Sequence, residues 1–169
     1  MTAQQPSRRP FLVRPGERDA VWSLGGHFTT KLDGAQSAGA FSLAEALAWR
    51  ATEPPLHVHQ REDEAWYVLD GHMTFHIDGQ ELVATRGCFV FAPRGLPHAF
   101  TVDEEPTRVL VLATPAGFEH FAAELGEPAA SESPPAGLTA PSPEVLAPVA
   151  ERYGIQVVGP PVRVMRGEA

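Results

Sequence analysis

Three histidines and one glutamate are spaced in this sequence as metal ligands would be. His57 and His59 stand two residues apart. Because successive side chains of a β-strand point to opposite faces, both imidazoles would lie on one face. Glu64 follows after four further residues and can add an oxygen ligand if the chain bends between them, and His98 follows a turn at Pro93–Gly95. Three imidazoles and one carboxylate form a mixed site suited to first-row transition metals.

Strands are predicted on both sides of these residues. The segment AWYVL after Glu64 is rich in aromatic and β-branched residues and ends at Asp70–Gly71, a dipeptide suited to a tight hairpin. The next segment, HMTFHID, alternates apolar and polar side chains, which predicts a strand with one buried face. Its polar face carries His72 and His76, so we expect these two histidines to face solvent rather than bind metal.

The segment before the histidines has two interpretations. Residues 41–49 alternate bulky and small side chains, which suits a strand. The same residues include strong helix formers with Ser42 as a possible N-cap, so a helix is the competing prediction from propensity alone. Pro54–Pro55 ends the element before His57.

The histidine and glutamate spacing resembles the first motif of the cupin superfamily, G(x)5HxH(x)3–4E(x)6G. The sequence matches from His57 and His59 through Glu64 to Gly71, and Ala51 stands where the leading glycine is expected. The spacing to Gly71 favours Glu64 over Glu62 as the acidic ligand, so we expect Glu62 to face water.

A second cupin motif, G(x)5PxG(x)2H(x)3N, is similar to a stretch further along the chain. Gly87, Pro93, Gly95 and His98 match it, and Val102 replaces the final asparagine, which is not a metal ligand. The resemblance tips residues 41–49 towards a strand.

The resemblance implies an all-β fold, a cupin double-stranded β-helix or jelly-roll barrel with a short C-terminal helical extension. We expect an N-terminal arm at 1–17, a barrel domain at 18–115 and an extension at 116–169. The extension shows two helical patterns, from Phe118 to Leu125 and from Ser142 to about Tyr153, joined by a Pro/Ser-rich linker and followed by an extended stretch and a tail. The helices could cover the barrel mouth or pack outside it.

The closest functional resemblance is to the quercetin 2,3-dioxygenase-like group of single-domain cupins. It implies a dioxygenase acting on a small aromatic or enolisable substrate, with one divalent ion of iron, manganese, nickel, cobalt, copper or zinc. The implied ligands are His57, His59, Glu64 and His98. Glu64 would also be the catalytic base that takes a proton from the substrate. We expect the substrate pocket to contain Trp66, Met73, Phe75, Phe91 and Phe100.

Two other functions use the same barrel. The ion could act as a Lewis acid in an isomerase, cyclase or lyase, or the barrel could bind a small molecule without catalysis. The formal charge of −8 argues against nucleic acid or an anionic membrane as partner. No segment resembles a signal peptide or a membrane span, which predicts a cytoplasmic protein. The resemblance implies a homodimer.

Overall fold

The computed structural model describes residues 9–168, and its strands form two antiparallel sheets that enclose one core. The order of strands is β11-β1-β2-β3-β10-β5-β8 in one sheet and β12-β4-β9-β6-β7 in the other. The strands are β1 (Ala20–Ser23), β2 (Gly26–Leu32), β3 (Ser42–Ala48), β4 (Pro55–His59), β5 (Asp63–Asp70), β6 (His72–Ile77), β7 (Gln80–Thr85), β8 (Phe89–Ala92), β9 (His98–Val102), β10 (Thr107–Thr114), β11 (Glu127–Pro128) and β12 (Ile155–Pro161). The all-β barrel prediction is confirmed.

In the described part of the chain, four short helices and one 3₁₀ turn accompany the sheets. They are α1 (Gly34–Ser37), the 3₁₀ turn (Arg50–Thr52), α2 (Phe118–Glu124), α3 (Pro143–Arg152) and α4 (Val162–Arg166). None of the helices among residues 9–168 has the length and apolar character needed to cross a membrane. Of the N-terminal arm, residues 1–8 lie outside the described part of the chain, and residues 9–17 contain no helix or strand.

Residues 41–49, for which both a strand and a helix were considered, contain the strand β3. β3 pairs with β2 on one side and with β10 on the other, and these two ladders outweigh its helical propensity. Its small residues Ala44, Ala46 and Ala48 are buried, as are Ser42 and Leu47, while Leu43 and Glu45 are only partly buried. A strand that turns alanines inward leaves free space in the interior.

The core is built where the two sheets meet. Trp66 and Val68 of β5 and Met73 and Phe75 of β6 are at most 4% exposed and belong to one cluster. Their period-2 spacing is what places them on the inner faces of both strands. The predicted alternation of β6 is therefore observed.

The chain after residue 115 is integrated into the barrel sheets. The linker segment contains β11, which pairs with β1, and the extended stretch forms β12, which pairs with β4. Helix α4 begins within the stretch predicted to be extended and continues into the predicted tail. Helices α2 and α3 form a second apolar cluster together with β12, contributed by Phe121, Leu146, Ala150 and Ile155.

Candidate metal centre

The structure brings the four predicted ligands together. His57 and His59 lie on β4, Glu64 on β5 and His98 at the start of β9, where it pairs directly with His57. One nitrogen or carboxylate oxygen from each residue lies within 4.8 Å of those of the other three. His59, Glu64 and His98 are at most 4% exposed, so the cluster lies inside the barrel.

Backbone carbonyls orient two of the imidazoles. The Nδ1 atom of His57 lies 2.9 Å from the oxygen of Pro55, and Nδ1 of His98 lies 3.0 Å from the oxygen of Leu96. A carbonyl can only accept, so each Nδ1 carries the proton and each Nε2 keeps a lone pair. That tautomer is the one that can coordinate a cation through Nε2.

The carboxylate of Glu64 lies between His59 and His98. Its Oε2 atom is 3.4 Å from Nε2 of His59 and 3.3 Å from Nε2 of His98. Burial raises the pKa of Glu64, but His59, His98 and His57 together lower it below its usual range. The carboxylate is therefore ionised at neutral pH, as a metal ligand must be.

The remaining charges favour a cation at this position. Burial, followed by the neighbouring His98 and His59, lowers the pKa of His57 to about 3, so this ligand is neutral. Burial disfavours a charged His59, but Glu64 and then Glu62 outweigh it and raise its pKa. The two carboxylates thus attract positive charge to the centre of the cluster. A divalent ion bound by these donors would supply that charge, and the four residues fit such an ion.

Glu62 was expected to face water, and this prediction is wrong. Only 5% of Glu62 is exposed, and its Oε2 lies 3.5 Å from Nδ1 of His59. Asp63, the next residue, points outward instead and binds Arg94. The acidic run around Glu64 gave no signal that could separate the inward from the outward carboxylate.

A cavity of about 100 Å³ adjoins the cluster. His57, His59 and Glu64 contribute polar groups to its wall, and the predicted pocket residues Trp66, Met73 and Phe100 contribute apolar ones. The alanines of β3 make room for this space.

Two predicted pocket residues lie elsewhere. Phe75 is buried behind the wall, with its ring 4.8 Å from that of Trp66. Phe91 is 50% exposed on the outside of the barrel, which corrects its assignment to the pocket. The alternation of β8 explains this, because Val90 and Ala92 take the inward positions and only the outward ones remain for Phe91.

The C-terminal extension forms part of the cavity wall. Its side chains that line the cavity include Phe118, Phe121, Pro141, Leu146, Ala150, Ile155 and Val157. The extension therefore contributes apolar side chains to the cavity, which composition could not establish. His72 and His76, on the outer face of β6, are not part of the metal-ligand cluster.

Comparison with known proteins agrees with this architecture. The cupin domain family matches residues 46–113. Quercetin 2,3-dioxygenase from Bacillus subtilis is 29% identical over 121 residues, which cover 70% of this chain. The chain spans only 35% of the length of that relative.

Two solved structures have similar barrels. The polyketide cyclase RemF from Streptomyces resistomycificus has a TM-score of 0.54 and 26% identity, covering 63% of this chain and 80% of that one. An RmlC-like cupin from Shewanella frigidimarina also has a TM-score of 0.54, with 16% identity, covering 68% of this chain and 99% of that one. The matched segment and the two-sheet barrel show that the chain contains a cupin domain, and the chain resembles the quercetin 2,3-dioxygenase-like group of cupins.

Proposed function

We propose that this chain is a metal-dependent cupin dioxygenase that acts on a small aromatic or enolisable substrate. The proposed ligands of its single divalent transition metal ion are His57, His59, Glu64 and His98. The observation that carries the proposal is the convergence of these four donors, within 4.8 Å of one another, beside an apolar cavity whose wall includes His57, His59 and Glu64. The similarity to a quercetin 2,3-dioxygenase supports the choice of reaction.

The ion would supply Lewis acidity towards a substrate hydroxyl and, if redox-active, a route for electrons to dioxygen. Glu64 accepts the proton of that hydroxyl in this proposal. It is ionised and buried, and its Oε2 lies 3.4 Å from Nε2 of His59 and 3.3 Å from Nε2 of His98. A carboxylate that is both ligand and base must keep one oxygen accessible to the substrate.

The cavity wall restricts the substrate by polarity and size. Trp66, Met73 and Phe100 exclude water and favour an apolar, planar molecule. A cavity of about 150 Å³ holds one benzene molecule, and the cavity here is about 100 Å³. The cavity therefore favours a substrate whose reacting part is no larger than a single ring.

Oxygen uptake tests the proposed reaction. Metal-reconstituted protein is placed in an oxygen electrode with a panel of flavonols and enolisable diketones, beside His59→Ala and Glu64→Gln. We expect uptake with at least one substrate in the wild type, with loss of metal in His59→Ala and loss of uptake in Glu64→Gln. Absence of uptake with the whole panel refutes the dioxygenase assignment, and full metal content in His59→Ala refutes the ligand set.

A second candidate function is a cyclase, isomerase or lyase that uses the ion only as a Lewis acid. The fold similarity to a polyketide cyclase at 26% identity favours it. Substrate conversion under anaerobic conditions identifies this reaction. Tight substrate binding with no conversion, with or without oxygen, identifies a cupin that only binds its ligand.

We also propose that the chain forms a homodimer through the outer face of β5 and β8. Tyr67 and Phe89 are paired neighbours on this face and are 43% and 66% exposed, and Phe91 lies beside them. Exposed aromatic side chains grouped in this way are typical of protein interfaces. The molecular mass in solution, measured by light scattering, should be twice that of one chain for the wild type and equal to that of one chain for Phe89→Ser.

A further inference from the structure

Two buried polar atoms face each other beside the metal-ligand cluster without a conventional hydrogen bond. Nδ1 of His59 and Oε2 of Glu62 are both buried, and neither has a hydrogen-bond partner among the described residues. They lie 3.5 Å apart, and the side chains are 1% and 6% exposed. A buried polar atom without a partner is costly, so this pairing needs a physical explanation.

The other two histidines show what is different about His59. The Nδ1 atoms of His57 and His98 each lie within hydrogen-bonding distance of a backbone carbonyl, which fixes their tautomers. For His59 the corresponding oxygen belongs to the carboxylate of Glu62. All three imidazoles therefore have an oxygen atom facing Nδ1, and only that of His59 carries a charge.

The carboxylate of Glu62 lies close to the backbone of Gly117. Gly117, at the start of α2, lies so close that a Cβ atom there would be 2.9 Å from Oε1 of Glu62. Neighbouring Asp63 is held on the outside by Arg94. Glu62, the last residue before β5, thus faces the interior, and Asp63, the first residue of β5, faces the surface.

We propose that Glu62 is a positioning residue that accepts the Nδ1 proton of His59 and so presents Nε2 of His59 to the metal ion. This inference rests on the proposed metal centre. A charge-assisted hydrogen bond is about 2.8 Å long, so the 3.5 Å separation shortens when Nε2 binds a cation and Nδ1–H becomes more acidic. Glu62 also adds a negative charge, which brings a site with a divalent ion and Glu64 to neutrality.

The tautomer of His59 can be measured without any metal. In metal-free protein labelled with ¹⁵N at histidine, long-range ¹H–¹⁵N spectra at alkaline pH report which ring nitrogen carries the proton. We expect the Nδ1–H form at His59 in the wild type and in Glu62→Gln, which keeps an acceptor, and a mixture of both forms in Glu62→Leu. His57 and His98 should stay in the Nδ1–H form throughout, which also reports that the barrel is folded.

Metal affinity provides the second measurement. Zn²⁺ binding is measured by competition with a chromophoric chelator in wild type, Glu62→Leu, Glu62→Gln and the matched control Asp63→Asn. Loss of a carboxylate that orients a metal-binding histidine lowers metal affinity about 10- to 100-fold. We expect this loss in Glu62→Leu, a smaller loss in Glu62→Gln and an unchanged affinity in Asp63→Asn.

The results separate this inference from the proposed function. An Nε2–H tautomer at His59 in the wild type, or a Glu62→Leu variant with unchanged tautomer and unchanged Zn²⁺ affinity, overturns the role of Glu62. A wild type that binds no Zn²⁺ or other divalent metal refutes the metal centre, whereas the tautomer still decides whether Glu62 orients His59.

Discussion

Arg163 on α4 anchors the end of the C-terminal extension to a buried carboxylate. Its Nε atom donates to both oxygens of Glu53 at 2.9 Å, and its Nη2 atom donates to the carbonyl of Val102 at 3.1 Å. Glu53 also accepts the N–H of Val102 at 2.8 Å, and it lines the cavity. Arg163→Met would keep much of the aliphatic length of the side chain and remove these hydrogen bonds.

The burial of this ion pair sets the expected loss in the free energy of unfolding on Arg163→Met. Removing one partner of a fully buried ion pair costs about 3–5 kcal/mol, because the other charge remains buried and unpaired. The side chain of Glu53 is 6% exposed but that of Arg163 is 26% exposed, so water can partly replace the guanidinium. The N–H of Val102 also stays bonded. We therefore expect a loss of about 2–3 kcal/mol in the free energy of unfolding.

Arg166 provides a matched control on the same helix. It pairs with Glu81, but these side chains are 41% and 55% exposed. Pairs of this kind contribute at most about 1 kcal/mol, so Arg166→Met should change the stability by less than about 1 kcal/mol. Urea denaturation of both variants, with the slope of the transition checked for equality, gives the two values.

A double-mutant cycle isolates the interaction. Arg163→Met and Glu53→Gln should be strongly non-additive, because either change alone removes the same ion pair. Equal destabilisation by Arg163→Met and Arg166→Met, or additivity of Arg163→Met with Glu53→Gln, would refute the anchoring role of this pair.

Three further predictions concern the core, the cavity and the metal ligands. Met73 is 1% exposed and Met165 is 50% exposed, so Met73→Ala should lower the free energy of unfolding by about 2–5 kcal/mol and Met165→Ala by less than about 0.5, as measured in urea. Ala46→Leu fills the cavity from β3, so elemental analysis should find the metal retained while the oxygen electrode finds uptake lost; loss of the metal would contradict this. Burial lowers the pKa of His59, but Glu64 and Glu62 raise it overall above its ordinary value, so protons compete with the metal as soon as the pH falls through the neutral range. Metal retention against a chelator should therefore decrease from about pH 8 to about pH 6; retention that does not change with pH would contradict this.

The candidate ligands could be predicted because three of the four lie close together in the sequence, on one strand and the strand that follows it after a short loop. His57 and His59 share a face through the two-residue period of a strand, and Glu64 enters the next strand after one bend. Only His98 comes from further along the chain, and the motif spacing supplied its place in β9. The register between His57 and His98 was not visible in the sequence, yet it is what brings these rings to a centroid distance of 4.4 Å.

Other features depended on tertiary contacts that have no local signal. Strand alternation alone does not say which face is inside, and so Phe91 was assigned to the pocket although Val90 and Ala92 take the inward positions. Glu62 was expected in water because the motif spacing to Gly71 favoured Glu64 as the acidic ligand, and the sequence gives no sign that Glu62 would lie beside His59 and Gly117.

The metal content of protein purified without a histidine tag tests the central claim most directly. Elemental analysis of the wild type should find one divalent transition metal ion per chain. His98→Ala should lose it, whereas His76→Ala, which alters a histidine on the outer face of β6, should retain it. A wild type that holds no metal after reconstitution, or a His98→Ala variant with full metal content, would contradict the assignment of this cluster as a metal centre.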